Sequence, residues 1–120
     1  MDFYCHPRCG TCKKAKKWLE EKDVPYNEIN LLETSPSKET WVTILNETDR
    51  TIKSFFNTSG NVYRENNLKN KLPDMSIDEA AEWLASDGMV VKRPFAIEGN
   101  TYTSGFKEEV YQTTWLSKGE

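Results

Sequence analysis

Apolar residues recur along this chain with two periods, and the switches between them lay out its elements. Phe3-Tyr4-Cys5 is a short apolar run at the N-terminus and reads as a first strand. From residue 10 to 22 the period is helical. Cys12, Ala15, Trp18 and Leu19 form the inward stripe, and Lys13, Lys14, Lys16, Lys17, Glu20 and Glu21 take the other faces. Lys16–Glu20 and Lys17–Glu21 are expected as i,i+4 ion pairs on the solvated side. Pro25 to Leu31 alternates apolar with polar, as a second strand does. Strand, helix and strand within about 30 residues make a βαβ unit with parallel strands.

A helical block follows, from about 35 to 87. Ser35-Pro36 predicts an N-cap with proline in the first turn, and Trp41, Ile44 and Leu45 give that helix a buried face. Ile52, Phe55 and Phe56 suggest a short helix, Thr58-Ser59-Gly60 a break, and Val62, Tyr63 and Leu68 further helical turns. Trp41, Phe55, Phe56 and Tyr63 fit a core better than an exposed docking patch, because their spacing is helical. Ser76-Ile77-Asp78-Glu79 is a capping box. Ile77, Ala80, Ala81 and Leu84 then continue at helical spacing to Gly88, expected as a left-handed C-terminal glycine. Met89-Val90-Val91 reads as a buried strand running into Lys92-Arg93-Pro94. Phe95-Ala96-Ile97 and Thr101-Tyr102-Thr103 flank Glu98-Gly99-Asn100 as a hairpin. A last helix is expected from about Phe106 to Trp115, with Phe106, Val110 and Thr114 on one face. No repeat, low-complexity tract or linker interrupts this β-α-β, helical block, β-β-α order, so one domain over residues 1–120 is the expectation.

Composition narrows the class. The 120 residues can bury a core, and 37% hydrophobic with 29% charged residues is ordinary for a globular protein. A net charge of −3 argues against nucleic acid or an anionic membrane as a direct partner. No basic-then-apolar leader opens the sequence, and no run approaches the roughly 20 apolar residues of a membrane span. A cytoplasmic protein is therefore expected. In that compartment close-spaced cysteines point to metal or redox chemistry rather than to a structural disulfide.

All three cysteines and the sole histidine fall within Cys5-His6-Pro7-Arg8-Cys9-Gly10-Thr11-Cys12. The C-x3-C-x2-C spacing is also that of a three-thiolate iron–sulfur motif, but the chain is too short for the large barrel such enzymes use. Cys5, His6, Cys9 and Cys12 would supply the four ligands of a zinc site, yet they close on one short loop instead of joining two distant knuckles. A phosphatase-type C-x5-R loop is absent, since the required positions are Thr11, Ala15 and Trp18. The pair Cys9-Gly10-Thr11-Cys12 fits best. A C-x-x-C after a strand, at a helix start beside a βαβ pattern, is a thioredoxin-like redox signature. Unpaired N–H groups and the helix dipole favour an anion at Cys9, and Arg8, Lys13 and Lys14 add positive charge. Cys9 is thus the expected nucleophile, with a depressed pKa, and Cys12, on the inward stripe, the resolving thiol. Gly10 leaves room for a substrate beside Cys9. Cys5 reads as a packed strand residue and His6 as a loop residue, with a role as base for Cys9 left open. No bound metal or cofactor is expected.

The stretch "YCHPRCGTCKKAKKWLEE" together with "VVKRPF" resembles the ArsC/Spx family of arsenate-reductase-like proteins, and "FFNTSGNVYRENNLKNKLPDMS" is similar to a small ArsC-related branch of it. The resemblance runs through nearly the whole chain. It implies an α/β, thioredoxin-like fold: a glutaredoxin-type β-α-β…β-β-α core with the helical block inserted. It implies Cys9 as nucleophile in a turn that includes Arg8, Gly10 and Thr11. It also implies that Arg93 and Pro94 sit opposite that turn, with Pro94 after a cis peptide bond and Arg93 holding a sulfur or oxyanion near Cys9. Arsenate reductases of the family use three arginines. Arg93 matches one, while the other two fall at about Asn57 and at about Ser104 or Gly105. The implied function is a thiol–disulfide oxidoreductase with a disulfide or an oxidised small molecule as substrate. Glutathione or a thioredoxin/glutaredoxin system would be the thiol reductant. The alternative is a redox-switched transcriptional regulator of the Spx type that binds the RNA polymerase α subunit. Against it, the family's polymerase contact resembles a glycine-containing loop, and no glycine lies between Gly10 and Gly60.

Overall fold

In the computed structural model, which describes residues 1–116, the chain runs through ten regular elements. They are β1 (Asp2–Cys5), α1 (Gly10–Glu21), β2 (Asn27–Asn30), α2 (Lys38–Glu47), α3 (Asn61–Glu65), α4 (Leu68–Lys71), α5 (Ile77–Ser86), β3 (Phe95–Glu98), β4 (Thr101–Ser104) and α6 (Glu108–Tyr111). They divide between two units, one of residues 1–30 with 93 onward, the other Leu31–Lys92.

In the first unit the strands make one mixed sheet of order β2-β1-β3-β4. β1 pairs parallel with β2 and antiparallel with β3, and β3 and β4 form the expected hairpin, turned through Gly99 at φ +59°. Alternation along β1 sends Phe3 and Cys5 to one face, where both are buried. α1 covers that face with the four residues its stripe predicts: Cys12, Ala15, Trp18 and Leu19. Lys17 pairs with Glu21 at 3.9 Å as expected. Lys16 instead reaches across to Glu28 of β2 at 3.2 Å, while Glu20 accepts from the Tyr26 hydroxyl at 3.1 Å.

The last helix turns a different face inward from the one its periodicity suggests. After α6 the backbone widens into a π-type turn over Gln112–Leu116. Tyr111, which ends α6, and Trp115, within that turn, are buried in the core, while Val110 is 41% exposed. The Trp115 indole N–H donates to Thr103 Oγ1 at 3.2 Å, a buried bond that contributes about 1 kcal/mol and rewards this register.

The second unit is helical. α2 packs on α5, setting Trp41, Ile44 and Leu45 against Ala80, Ala81 and Leu84; the alanines let the backbones approach. Trp41, Phe55, Phe56 and Tyr63 are all at most 4% exposed, so they are core. The Ser76 capping box forms, the hydroxyl accepting from Glu79 N–H at 3.1 Å.

Three expectations need correction here. The N-cap of α2 is Ser37, which accepts from Thr40 N–H at 3.2 Å. Ser35 is engaged elsewhere: its hydroxyl lies 2.9 Å from the carbonyls of Leu84 and Ala85, the open end of α5. Met89-Val90-Val91 is not a strand. Gly88–Val90 forms a 3-10 turn started by the Asp87 carboxylate, which accepts from Met89 N–H at 2.9 Å, and Val91 makes a single bridge to Phe56. Gly88 is not left-handed either. It is glycine because a Cβ there would lie 2.0 Å from the Leu31 carbonyl oxygen.

Candidate active site

The site is built on the junction of β1 and α1. Cys9 is the N-cap of α1, with extended backbone (φ −81°, ψ 120°), and its carbonyl accepts from Lys13 N–H at 3.1 Å, which starts the helix. The loop before it folds on His6. The His6 carbonyl accepts from Cys9 N–H at 3.1 Å, and Nδ1 accepts from Arg8 N–H at 3.0 Å. That bond occupies the Nδ1 lone pair. Burial and the charges of Arg93 and Arg8 hold the imidazole below its ordinary pKa. His6 therefore stands as a neutral ring that shapes the loop.

The two cysteines of the pair differ in the way that dithiol chemistry needs. Cys9 is half-buried. Burial pushes its thiol up, but the N–H of Cys12, the Cys12 thiol, the N–H of Thr11 and the Arg93 guanidinium outweigh it, leaving Cys9 below the usual thiol range. Cys12, one turn on, is fully buried. Burial drives its thiol well above the ordinary range, only partly offset by the His6 N–H and reinforced by Cys9. Gly10 is exposed, and a Cβ on it would meet open space, so the approach beside Cys9 is clear. Arg8 and Thr11 are exposed on the turn. All three cysteines are free thiols.

Arg93 and Pro94 begin the β3 segment, joined by a cis peptide bond. Arg93 is close enough for its charge to act on both Cys9 and His6. Pro94 is buried, and its carbonyl accepts from Gly105 N–H at 2.9 Å, with Gly105 at φ +80°. Thus Cys9, Cys12, Arg8, Gly10, Thr11, Arg93 and Pro94 all belong to the sheet-bearing unit.

One participant escapes sequence reasoning. Glu28 looks like an ordinary solvent-facing strand residue. Parallel pairing of β1 with β2 brings it to Cys5, whose thiol donates to Glu28 Oε2 at 3.5 Å. Burial and then the Glu28 charge and hydrogen bond push the Cys5 thiol up to about 11, against lesser lowering by Lys16 and Cys12. No spacing signals a contact that spans 23 residues. Among the described residues no group of three or more His, Cys, Asp or Glu is arranged to hold a metal ion, and no helix is long and apolar enough to cross a membrane.

A mixed four-stranded sheet with a C-x-x-C helix after its first strand defines an α/β protein of thioredoxin-like type, and solved structures agree. SACOL0876 of Staphylococcus aureus COL matches with a TM-score of 0.84 at 48% identity, over 96% of this chain and 98% of that one. A possible arsenate reductase from Streptococcus mutans UA159 matches with a TM-score of 0.85 at 38% identity, over 88% and 90%. Residues 4–114 match the ArsC family model, and the chain belongs to the ArsC family. The uncharacterised protein YusI of Bacillus subtilis (strain 168) is 51% identical over 115 residues, 96% of this chain and 98% of YusI. More distantly, the regulatory protein MgsR of the same organism is 26% identical over 106 residues, 88% of this chain and 82% of MgsR. The global transcriptional regulator Spx of Listeria monocytogenes serotype 4b (strain F2365) is 26% identical over 109 residues, 91% of this chain and 82% of Spx.

Proposed function

We propose that this protein is a cytoplasmic thiol–disulfide oxidoreductase acting through Cys9 and Cys12. The observation that carries the reading is the asymmetry of the pair: an accessible sulfur held towards thiolate at a helix N-terminus, and a buried protonated one a turn away. Cys9 thiolate attacks one sulfur of a substrate disulfide. The substrate S–S bond breaks, and the departing sulfur leaves as a thiolate that takes a proton from water. Cys12 then loses its proton, attacks the Cys9 sulfur of the mixed disulfide and expels the second substrate sulfur. Two electrons have moved to substrate, and the chain holds a Cys9–Cys12 disulfide. Glutathione or a thioredoxin/glutaredoxin dithiol restores it. Arg93 steadies the negative sulfur through charge-assisted contact.

Disulfides fit this site better than arsenate. Bidentate arginine forks suit a charged oxyanion, neutral side chains do not replace them, and only Arg93 matches the family's three. The test is turnover of a small-molecule disulfide with glutathione or thioredoxin as reductant. Wild type should turn over. Cys9→Ser should be inactive, and Cys12→Ser should accumulate a substrate adduct on Cys9. Wild-type activity no greater than that of Cys9→Ser refutes the reading.

The likeness to MgsR, a regulatory protein, and Spx, a global transcriptional regulator, supports a second reading, a regulator; in it the Cys9–Cys12 disulfide would switch binding to the RNA polymerase α subunit. Oxidation-dependent capture of α subunit, with no turnover, selects it.

A further inference from the structure

The chemistry above leaves one buried nucleophile unused. Cys5 ends β1, is 1% exposed, and shares an apolar cluster with Cys12. A cysteine that only fills space needs no polar partner, but this one has one: its thiol donates to Glu28 Oε2 at 3.5 Å. Cys12 is buried in the same cluster, near enough for its thiol to bear on the ionisation of Cys5. The same carboxylate oxygen accepts from Lys16 Nζ at 3.2 Å, and the Glu28 side chain is 45% exposed, which links the buried sulfur to water. Cys12 therefore neighbours both Cys9 and Cys5, and both bear on its ionisation.

We propose that Cys5 is a third redox thiol, which exchanges into the Cys9–Cys12 disulfide so that the oxidised chain rests as Cys5–Cys12 with Cys9 free. The inference rests on the dithiol reading above.

The step is an isomerisation and consumes no oxidant. The Cys5 sulfur attacks Cys12 Sγ. The bond between Cys12 and Cys9 breaks, and its electron pair leaves on Cys9. The Cys5 proton passes to the Glu28 carboxylate and on to water. Its direction follows from the leaving groups, because exchange expels the sulfur that is better stabilised as thiolate. Cys9 has the N–H groups of Thr11 and Cys12 and the Arg93 charge to receive that electron pair, whereas Cys5 faces a carboxylate. The oxidised chain would thereby keep its exposed nucleophile available to a second substrate sulfur.

Tryptic mapping reads this directly, because cleavage after Arg8 separates Cys5 from the peptide carrying Cys9 and Cys12. The full-length protein is oxidised with oxidised glutathione, trapped with N-ethylmaleimide at acid pH and digested; Cys5→Ala is treated in parallel. The expected result for wild type is a cross-link between the two peptides, with the maleimide on Cys9. Oxidised Cys5→Ala should hold the Cys9–Cys12 loop and no alkylatable thiol. A Cys9–Cys12 loop in both proteins, with Cys5 reduced, overturns the role of Cys5 and leaves the dithiol reading standing. Glutathione on Cys9 with no internal disulfide in either protein overturns both.

Discussion

The groups around each sulfur set whether it stands as thiol or thiolate. Alkylation of Cys9 by iodoacetamide should have its pH midpoint below the free-cysteine value of about 8.5. Because the thiolate reacts, the rate should fall tenfold per pH unit below that midpoint. Arg93→Ala removes a charge that favours thiolate, so the midpoint should rise, and Arg93→Lys should restore part of the shift. An unmoved midpoint in Arg93→Ala would remove Arg93 from the site. Much of this was legible in the sequence. A C-x-x-C with Gly10 between its cysteines, after a strand and at the head of a lysine-rich helix, marks Cys9 as the thiol whose pKa is to be lowered through the physics of helix ends alone. Arg93 and Pro94 emerged only through family resemblance, since a distant arginine carries no local signal. Glu28 did not emerge, because its meeting with Cys5 depends on strand register.

At the scale of elements, strong periodicity was read correctly where local geometry stayed regular, as in α1 and α5. The misreadings fall where a tertiary contact overrides local preference. Ser35 has the chemistry of an N-cap but is drawn to the open end of α5. The apolar run at 89–91 has strand composition, yet the Asp87 carboxylate winds its start into a tight turn. In the last helix the inward pair is Tyr111 and Trp115, which also stand four residues apart, so helical spacing alone did not choose between that face and the one through Val110. Gly88 makes the sharpest prediction here. Gly88→Ala forces a methyl against the Leu31 carbonyl oxygen and should cost about 3 kcal/mol, as overpacking does. Urea unfolding checks this; a midpoint equal to wild type would mean that the backbone yields without cost. Trp41→Ala in the helical unit should cost about 4 kcal/mol in the same assay, since a fully buried indole is lost.

For the whole molecule, the three thiols couple redox state and stability to pH. Cys9 titrates lower in the folded chain than in the unfolded one. From its folded value up to the ordinary thiol range, the unfolded chain therefore binds more protons, and stability rises with pH. Cys5, Cys12 and Tyr111 titrate higher when folded. Through the ordinary thiol range, centred at about pH 8.5, the unfolded chain sheds protons that Cys5 and Cys12 keep in the native state, and stability falls. Urea midpoints of the reduced protein should thus pass through a maximum below about pH 8.5, and Cys9→Ala should flatten the rising limb. The chain order, with a helical unit inserted between β2 and β3, follows from periodicity and short connections, and the helical block expected from about 35 to 87 falls within the unit Leu31–Lys92.

Whether the sulfurs of the opening loop form a dithiol centre is decided by equilibrating the full-length protein in a graded series of glutathione redox buffers. Free thiols are trapped at each step and intact mass is measured. The expected result is a single two-electron transition in which the chain loses two hydrogens and gains no glutathione. A product that carries one glutathione on Cys9, with the remaining thiols free at every poise, would contradict it.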